Sequence, residues 1–196
     1  WPRYLGRESG RAGWEEAGWV DFASNDYLGV ARNDAVARGA VRALERSIAD
    51  AKRGARDTGM PSRLVGAAGS RLLAGNYEAL EDIERMIASF HGSERAILCQ
   101  SGYDANVALL SCLPADAIVH DEMVHASMHD GMRLSRAEKR LAFKHNSPTA
   151  LMSALNEIGA DKVVLVAVES IYSMQGDRCP LDHIVAVIEL FPRAAL

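Results

Sequence analysis

Residues 100–131, QSGYDANVALLSCLPADAIVHDEMVHASMHDG, decide how the rest of the chain is read. A short apolar run, Ala96-Ile97-Leu98-Cys99, precedes them and has the composition of a buried strand. Ser101-Gly102 then turns the chain, and a helical pattern begins near Tyr103. A strand feeding a small-residue turn and a helix start leaves backbone N–H groups free beside the positive end of the helix dipole. That geometry suits a phosphate. A second apolar run, Ala117-Ile118-Val119, delivers Asp121, Glu122 and His125 to the same end of the sheet, where open α/β sheets keep their ligands. A phosphate seat and an imidazole on neighbouring strand ends outline a cofactor site.

Downstream, strand and helix patterns alternate. Helix 103–112, strand 116–120 and a helix over 126–136 are followed by a strand at 140–144. Ser147 caps a helix with Pro148 in its first turn, which runs to Ile158 and is stopped by Gly159. The run KVVLVAV at 162–168 is continuously apolar, as expected of a strand covered on both faces. A loop at 169–180 leads to a last helix near 181–190. Such alternation predicts an α/β fold with a mostly parallel, doubly wound sheet.

Upstream, Asn76 caps an amphipathic helix over 77–91, ended by Gly92, with Leu80, Ile83, Ile87 and Phe90 as its apolar stripe. Its acidic and basic residues read as a solvated face. Residues 50–76 carry Gly54, Gly59, Gly66, Gly69, Gly75 and Pro61, which predicts a long loop. Gly66-Ala67-Ala68-Gly69-Ser70 lacks the Gly-Lys-Ser/Thr of a nucleoside-triphosphate loop and the third glycine of a dinucleotide fingerprint. Asn33 or Asp34 caps a helix to about Ser47, with Val36, Ala40 and Leu44 at helical spacing. Before it lie a turn at 24–29, a short strand around Val20-Asp21-Phe22, and an arm over 1–19 whose Trp1, Trp14 and Trp19 could anchor on a partner subunit or on the chain's own body.

The chain has 196 residues, enough for one good core. A hydrophobic fraction of 48% with 24% charged residues is that of a globular protein, and a net charge of -4 gives no reason to expect nucleic acid as a partner. Cys99, Cys112 and Cys179 form no CxxC pair and read as reduced thiols of a cytosolic or organellar-matrix protein. No apolar run reaches transmembrane length, so no membrane segment is expected. His125 and His129 share a helix face, but without an HExxH motif no metal site is expected. The start lacks a Met and the end stops in mid-pattern, which suggests that both ends are cut.

Asn25-Asp26-Tyr27-Leu28-Gly29, Gly69-Ser70-Arg71-Leu72-Leu73, Gly75-Asn76, Leu80-Glu81, Ser101-Gly102-Tyr103 with Ala105-Asn106, His125-Ala126-Ser127, His145-Asn146 and Ser173-Met174-Gln175-Gly176-Asp177 occur in this order. As a set, from about residue 20 onward, they resemble the α-oxoamine synthase family of pyridoxal-phosphate (PLP) enzymes. The resemblance implies a PLP-dependent transferase of fold type I, a mostly parallel sheet with helices on both faces, here incomplete at the C-terminus. Residues 1–50 would form an arm and helix making dimer contacts, and 51–196 the first part of the large PLP-binding domain. It also implies a homodimer that condenses an amino acid with an acyl-CoA. Ser101, Gly102 and Tyr103 would hold the cofactor phosphate and His125 would stack on the pyridine ring as the catalytic residue. Glu169 and Ser173 would line the cofactor's other side, Asn25 would reach the substrate carboxylate, and the loop 66–76 would close over the site.

Two positions depart from the family pattern: Gln175 and Ser147 each stand where Asp is usual. The resemblance puts the Schiff-base lysine, and the Asp that pairs the pyridine nitrogen, beyond Leu196. Lys52, Lys139, Lys144 and Lys162 stand in none of those contexts, so these residues alone are expected not to turn over. Two other readings stay open: a non-catalytic partner subunit or truncated product of the family, and another fold-type I enzyme such as an aminotransferase.

Overall fold

The structure is a computed structural model that describes residues 24–58, 66, 67 and 69–196. The arm with Trp1, Trp14 and Trp19 and the strand expected around Val20 lie outside these residues. The chain divides into two compact units, Trp1–Tyr77 and Glu78–Leu196.

In the first unit a left-handed Gly29 (φ 66°) leads through a 3-10 turn, Val30–Arg32, into helix α1, Asp34–Thr58. Asn33 caps α1, its Oδ1 accepting the Ala35 N–H at 2.9 Å. The helix runs well past Ser47, correcting the loop expected from residue 50. Ala51, Lys52, Arg53 and Ala55 are strong helix formers, and one interior glycine costs only about 1 kcal/mol against them. Arg71–Gly75 then forms a single π-helical turn whose entry Ser70 caps by accepting the Leu72 N–H. A Cβ on Gly75 would stand 1.9 Å from the Gly69 carbonyl oxygen, so this turn closes only around glycine.

The second unit opens with α2, Glu78–His91, ended by left-handed Gly92. Gly92 N–H reaches Ser89 O at 3.2 Å and Ser93 N–H reaches Ala88 O at 2.9 Å, the paired bonds of a Schellman C-cap. Residues 95–99 form no strand. Ile97 is 83% exposed, and the Leu98 N–H is given to the Glu84 carboxylate at 2.7 Å. An apolar run becomes a strand only beside another strand, and none of the described strands lies along it.

From there the alternation holds, with no boundary moved by more than two residues: α3 (Gly102–Cys112), β1 (Ala117–Asp121), α4 (Ala126–Leu134), β2 (Lys139–Phe143), α5 (Pro148–Ile158), β3 (Val164–Ala167) and α6 (Leu181–Ile188). A two-residue β4, Ala194–Ala195, is added where no strand was expected. The sheet is parallel throughout, in the order β2-β1-β3-β4. Because side chains alternate along a strand, Ala117, Val119, Val164 and Val166 pack with Leu151, Leu155, Ile184 and Ile188 on one face. Ile118 and Ala167 pack with Leu110, Met132 and Tyr172 on the other. Helices α5 and α6 thus cover one face and α3 and α4 the opposite one. The α3–α4 crossing is close: a Cβ on Gly131 would lie 2.9 Å from both Asn106 O and Leu110 Cβ.

The chain leaves β1 toward α4 and leaves β3 toward α6, on opposite faces. The two adjacent carboxyl ends therefore part, which makes a topological switch point and opens a crevice between the loops that follow them.

Candidate cofactor site

Ser101, in extended conformation, caps α3 by accepting the Asp104 N–H on Oγ at 3.0 Å, and its carbonyl takes the Ala105 N–H at 3.1 Å. The N–H groups of Gly102 and Tyr103 have no partner among the described residues, and a Cβ on Gly102 would meet nothing within 4 Å. Two unpaired amide donors therefore face open space at the positive end of an eleven-residue helix.

His125 begins α4 beside the switch point. Its backbone N–H is hydrogen-bonded to the Glu169 carboxylate, which joins the loop after β1 to the loop after β3. Its Nδ1 accepts the Ser127 N–H at 3.2 Å and lies 2.7 Å from Ser127 Oγ. Ser127 is fully buried and accepts the Asn106 amide at 2.9 Å. The run Asn106–Ser127–His125 fixes the imidazole plane and leaves Nε2 to carry the ring proton. The Tyr103 ring meets the His125 ring edge-on at 6.0 Å and 81°. Its hydroxyl is hydrogen-bonded to Asp130, which holds the phenol above its usual value of 10.0.

Beside this group lies a second constellation. Asp121, 0% exposed at the end of β1, accepts the Met123 N–H, the Asn146 N–H and His145 Nδ1 at 2.8, 2.8 and 2.9 Å. Burial alone would raise this carboxyl; the two backbone donors and the histidine outweigh it, so it sits below the usual carboxylate range. His145 Nε2 lies 2.9 Å from Asp177 Oδ2, which also accepts the Asn146 amide at 2.8 Å. The Asp121 hydrogen bond raises His145 above its ordinary value against the opposing effect of burial, and Asp177 adds to the rise. Asn146 adopts a left-handed φ of 52°, which asparagine tolerates. Tyr172, fully buried, packs its ring edge-on to His145 at 4.4 Å, its hydroxyl beside Asp121 without a well-formed hydrogen bond.

The model of the aminotransferase class I and II family matches residues 17–196. The chain belongs to that family. It is 40% identical over 180 residues to an 8-amino-7-oxononanoate synthase of Emericella nidulans, covering 87% of this chain and 41% of that protein. In three dimensions it is similar to serine palmitoyltransferase from S. paucimobilis with a bound PLP–myriocin aldimine (TM-score 0.63, 32% identity, 76% of this chain and 36% of that one). It is also similar to 8-amino-7-oxononanoate synthase from Francisella tularensis (TM-score 0.58, 25% identity, 86% and 42%). The chain thus spans about two-fifths of the length of the relatives it matches. PLP is the cofactor of this family. The donors at the α3 N-terminus fit its phosphate.

Among the residues expected at the site, Tyr103, His125 and Glu169 are brought together, and Ser101 and Gly102 stand at the same helix start. Ser173 is exposed at the tip of the loop after β3, and no hydrogen bond joins it to the others among the described residues. Asn25 lies in a turn of the first unit, its Oδ1 accepting the Tyr27 hydroxyl at 3.3 Å. Ser147 caps α5 by accepting the Ala150 N–H at 3.2 Å, a task that serine and aspartate perform equally well. The reading of residue types left without a role Asn106 and Ser127, which orient His125, and the His145 cluster. The His-Asn pair at 145–146 was the visible signal for the latter. No described helix is long and apolar enough to cross a membrane, and Cys99, Cys112 and Cys179 are free thiols.

Proposed function

We propose that this chain is the phosphate-binding and ring-stacking part of a PLP-dependent C-acyltransferase. It would condense an amino acid with an acyl-CoA in the manner of 8-amino-7-oxononanoate synthase and act as a homodimer. The observation that carries this reading is the pair of free N–H groups at the start of α3, with the Tyr103 ring there against an imidazole whose plane is fixed by Ser127 and Asn106. Gly102 and Tyr103 hold the phosphate through their amides, with the Ser101 hydroxyl kept for the cap. His125 presents its ring face to the pyridine, held upright by Ser127 and Asn106. Glu169 ties the two strand ends together, and Ser173 serves the ring hydroxyl from the other loop. Asn25 takes the substrate carboxylate. The bound cofactor supplies an electron sink for a carbanion at the amino acid's α-carbon. The lysine that carries it lies, in this reading, outside these residues. The four lysines present are scattered over α1, both ends of β2 and the turn before β3.

The test compares PLP with pyridoxal, which lacks the phosphate, by titration of this chain. Phosphate recognition predicts PLP binding about tenfold or more tighter, a preference removed by Gly102→Pro. Equal affinities for the two would overturn the site. Borohydride reduction should fix PLP to none of Lys52, Lys139, Lys144 or Lys162. In the protein that carries these residues with a Schiff-base lysine, amino-acid-dependent release of CoA thiol supports the acyltransferase reading. Keto-acid transamination without CoA would assign the aminotransferase chemistry that the family name also covers.

A further inference from the structure

The loop after β3 folds back on itself. Ile171 and Arg178 form an antiparallel bridge, the Tyr172 N–H bonds Asp177 O at 3.0 Å, and the Gly176 N–H bonds Tyr172 O at 2.9 Å. Ser173 sits at the tip of this small hairpin. Two features dock the hairpin on the sheet. Tyr172 is buried to 0% exposure, and the pair His145-Asn146 grips the other leg, its ring at Asp177 Oδ2 and its amide at both that oxygen and Arg178 O. The opposite side of the same imidazole is held by Asp121, which is anchored in β1 and by two backbone donors.

We infer that His145 is a positioning residue: gripped between the Asp121 and Asp177 carboxylates, it latches the hairpin 171–178 to the sheet end and so fixes where Ser173 stands. Each ring nitrogen lies 2.9 Å from a carboxylate oxygen, and an ionised carboxylate only accepts. The Asn146 amide nitrogen also lies 3.2 Å from Nε2, but its two protons go to Asp177 Oδ2 and Arg178 O, so the latch takes both ring nitrogens as donors, an imidazolium. Other groups facing it are Glu122, which accepts the His145 backbone N–H at 3.1 Å, and Tyr172, with Cys179 behind it; Lys144 precedes it in the chain, Arg178 follows Asp177 in the hairpin, and both are exposed. The acidic groups stabilise the charged form, and the side chain, 20% exposed, stays within reach of water when it titrates. Because the folded value lies above the ordinary 6.5, the latch is fully present below that pH and is released as pH rises through the folded value. The latch goes beyond the cofactor reading and stands without it; only the use of Ser173 at the cofactor rests on that reading.

The experiment uses this chain without cofactor. Nitrogen-15 NMR follows the His145 ring against pH in the wild type and in Asp177→Asn. Amide exchange, expressed as protection over the intrinsic rate, is read at Tyr172 and Gly176, with the Leu151 amide in α5 as a control of the core. The expected result is a doubly protonated ring at neutral pH that titrates above 6.5 and moves down in D177N. Protection at Tyr172 and Gly176 should fall through the same pH range. In His145→Gln it should be about ten- to a hundredfold lower and independent of pH, the size of a charge-assisted hydrogen bond, with Leu151 unchanged. A neutral ring at pH 7, or hairpin protection indifferent to both pH and H145Q, overturns the latch. If H145Q does not fold, the wild-type titration and D177N decide it alone.

Discussion

Asp121 occupies the last position of β1, where the sheet ends and solvent would normally begin, yet it has no exposed surface. A carboxylate so placed persists because three donors converge on it. Its folded pKa is depressed, so it contributes stability that is complete above the unfolded value near 3.8 and is lost as pH falls through the folded value. The acid limb of the thermal-unfolding midpoint, followed from pH 6 down to about pH 2 where such carboxylates titrate, should therefore be steep in the wild type and flatter in Asp121→Asn. At neutral pH that variant should lose about 1.5–3 kcal/mol, the worth of hydrogen bonds to a charged group. An unchanged acid limb would show that Asp121 is protonated in the folded protein.

At the scale of elements, the crossing of α3 and α4 connects packing to the site. Gly131 lets the helices approach, and one of the two residues nearest to it across the gap is Asn106, the same one that holds Ser127 and through it His125. Gly131→Ala inserts a methyl group 2.9 Å from the Asn106 carbonyl and the Leu110 Cβ, so the helices must part. We expect a loss of about 1–3 kcal/mol in chemical denaturation, together with weaker PLP binding in titration because the His125 support moves. A Gly131→Ala chain with wild-type PLP affinity would uncouple the crossing from the site. The run 96–99 teaches the complementary lesson: its residues favour a strand, but the sheet ends at a two-residue β4, and no described strand pairs with it.

Across the molecule, apolar surface is left uncovered in the second unit. Phe90, at the end of the α2 stripe, is 84% exposed, and Ile97, Leu109 and Leu113 are also exposed. Exposed apolar side chains that gather into one patch mark a surface that other protein covers. We expect the isolated chain to self-associate at micromolar concentration in sedimentation velocity, and the double change Phe90→Glu, Ile97→Lys to shift it toward monomer. A wild type that sediments as a monomer at all concentrations would show these residues to be ordinary surface.

Much of this protein could be read from residue order alone. Ser101 before α3, Ser147-Pro148 before α5, Gly92 and Gly159 after their helices, and the apolar runs of β1 and β3 act within one turn or one strand, so their partners lie a few residues away. The helix start with its two unpaired amides belongs to this class, and so does His125 at the next one. The extension of α1 through Gly54 escaped because a glycine count ignores the helix formers around it. What only the tertiary structure decided are the meetings of residues distant in sequence. Asp121 pairs in register with Phe143, which sets His145 just past the sheet end, against Asp121; the return of the chain after β3 then brings Asp177 to the other side of the ring. Asn106 reaches Ser127 only because Gly131 allows two helices to touch. Strand pairing and helix crossing are long-range choices made by burial of the whole sheet, and no local pattern encodes them.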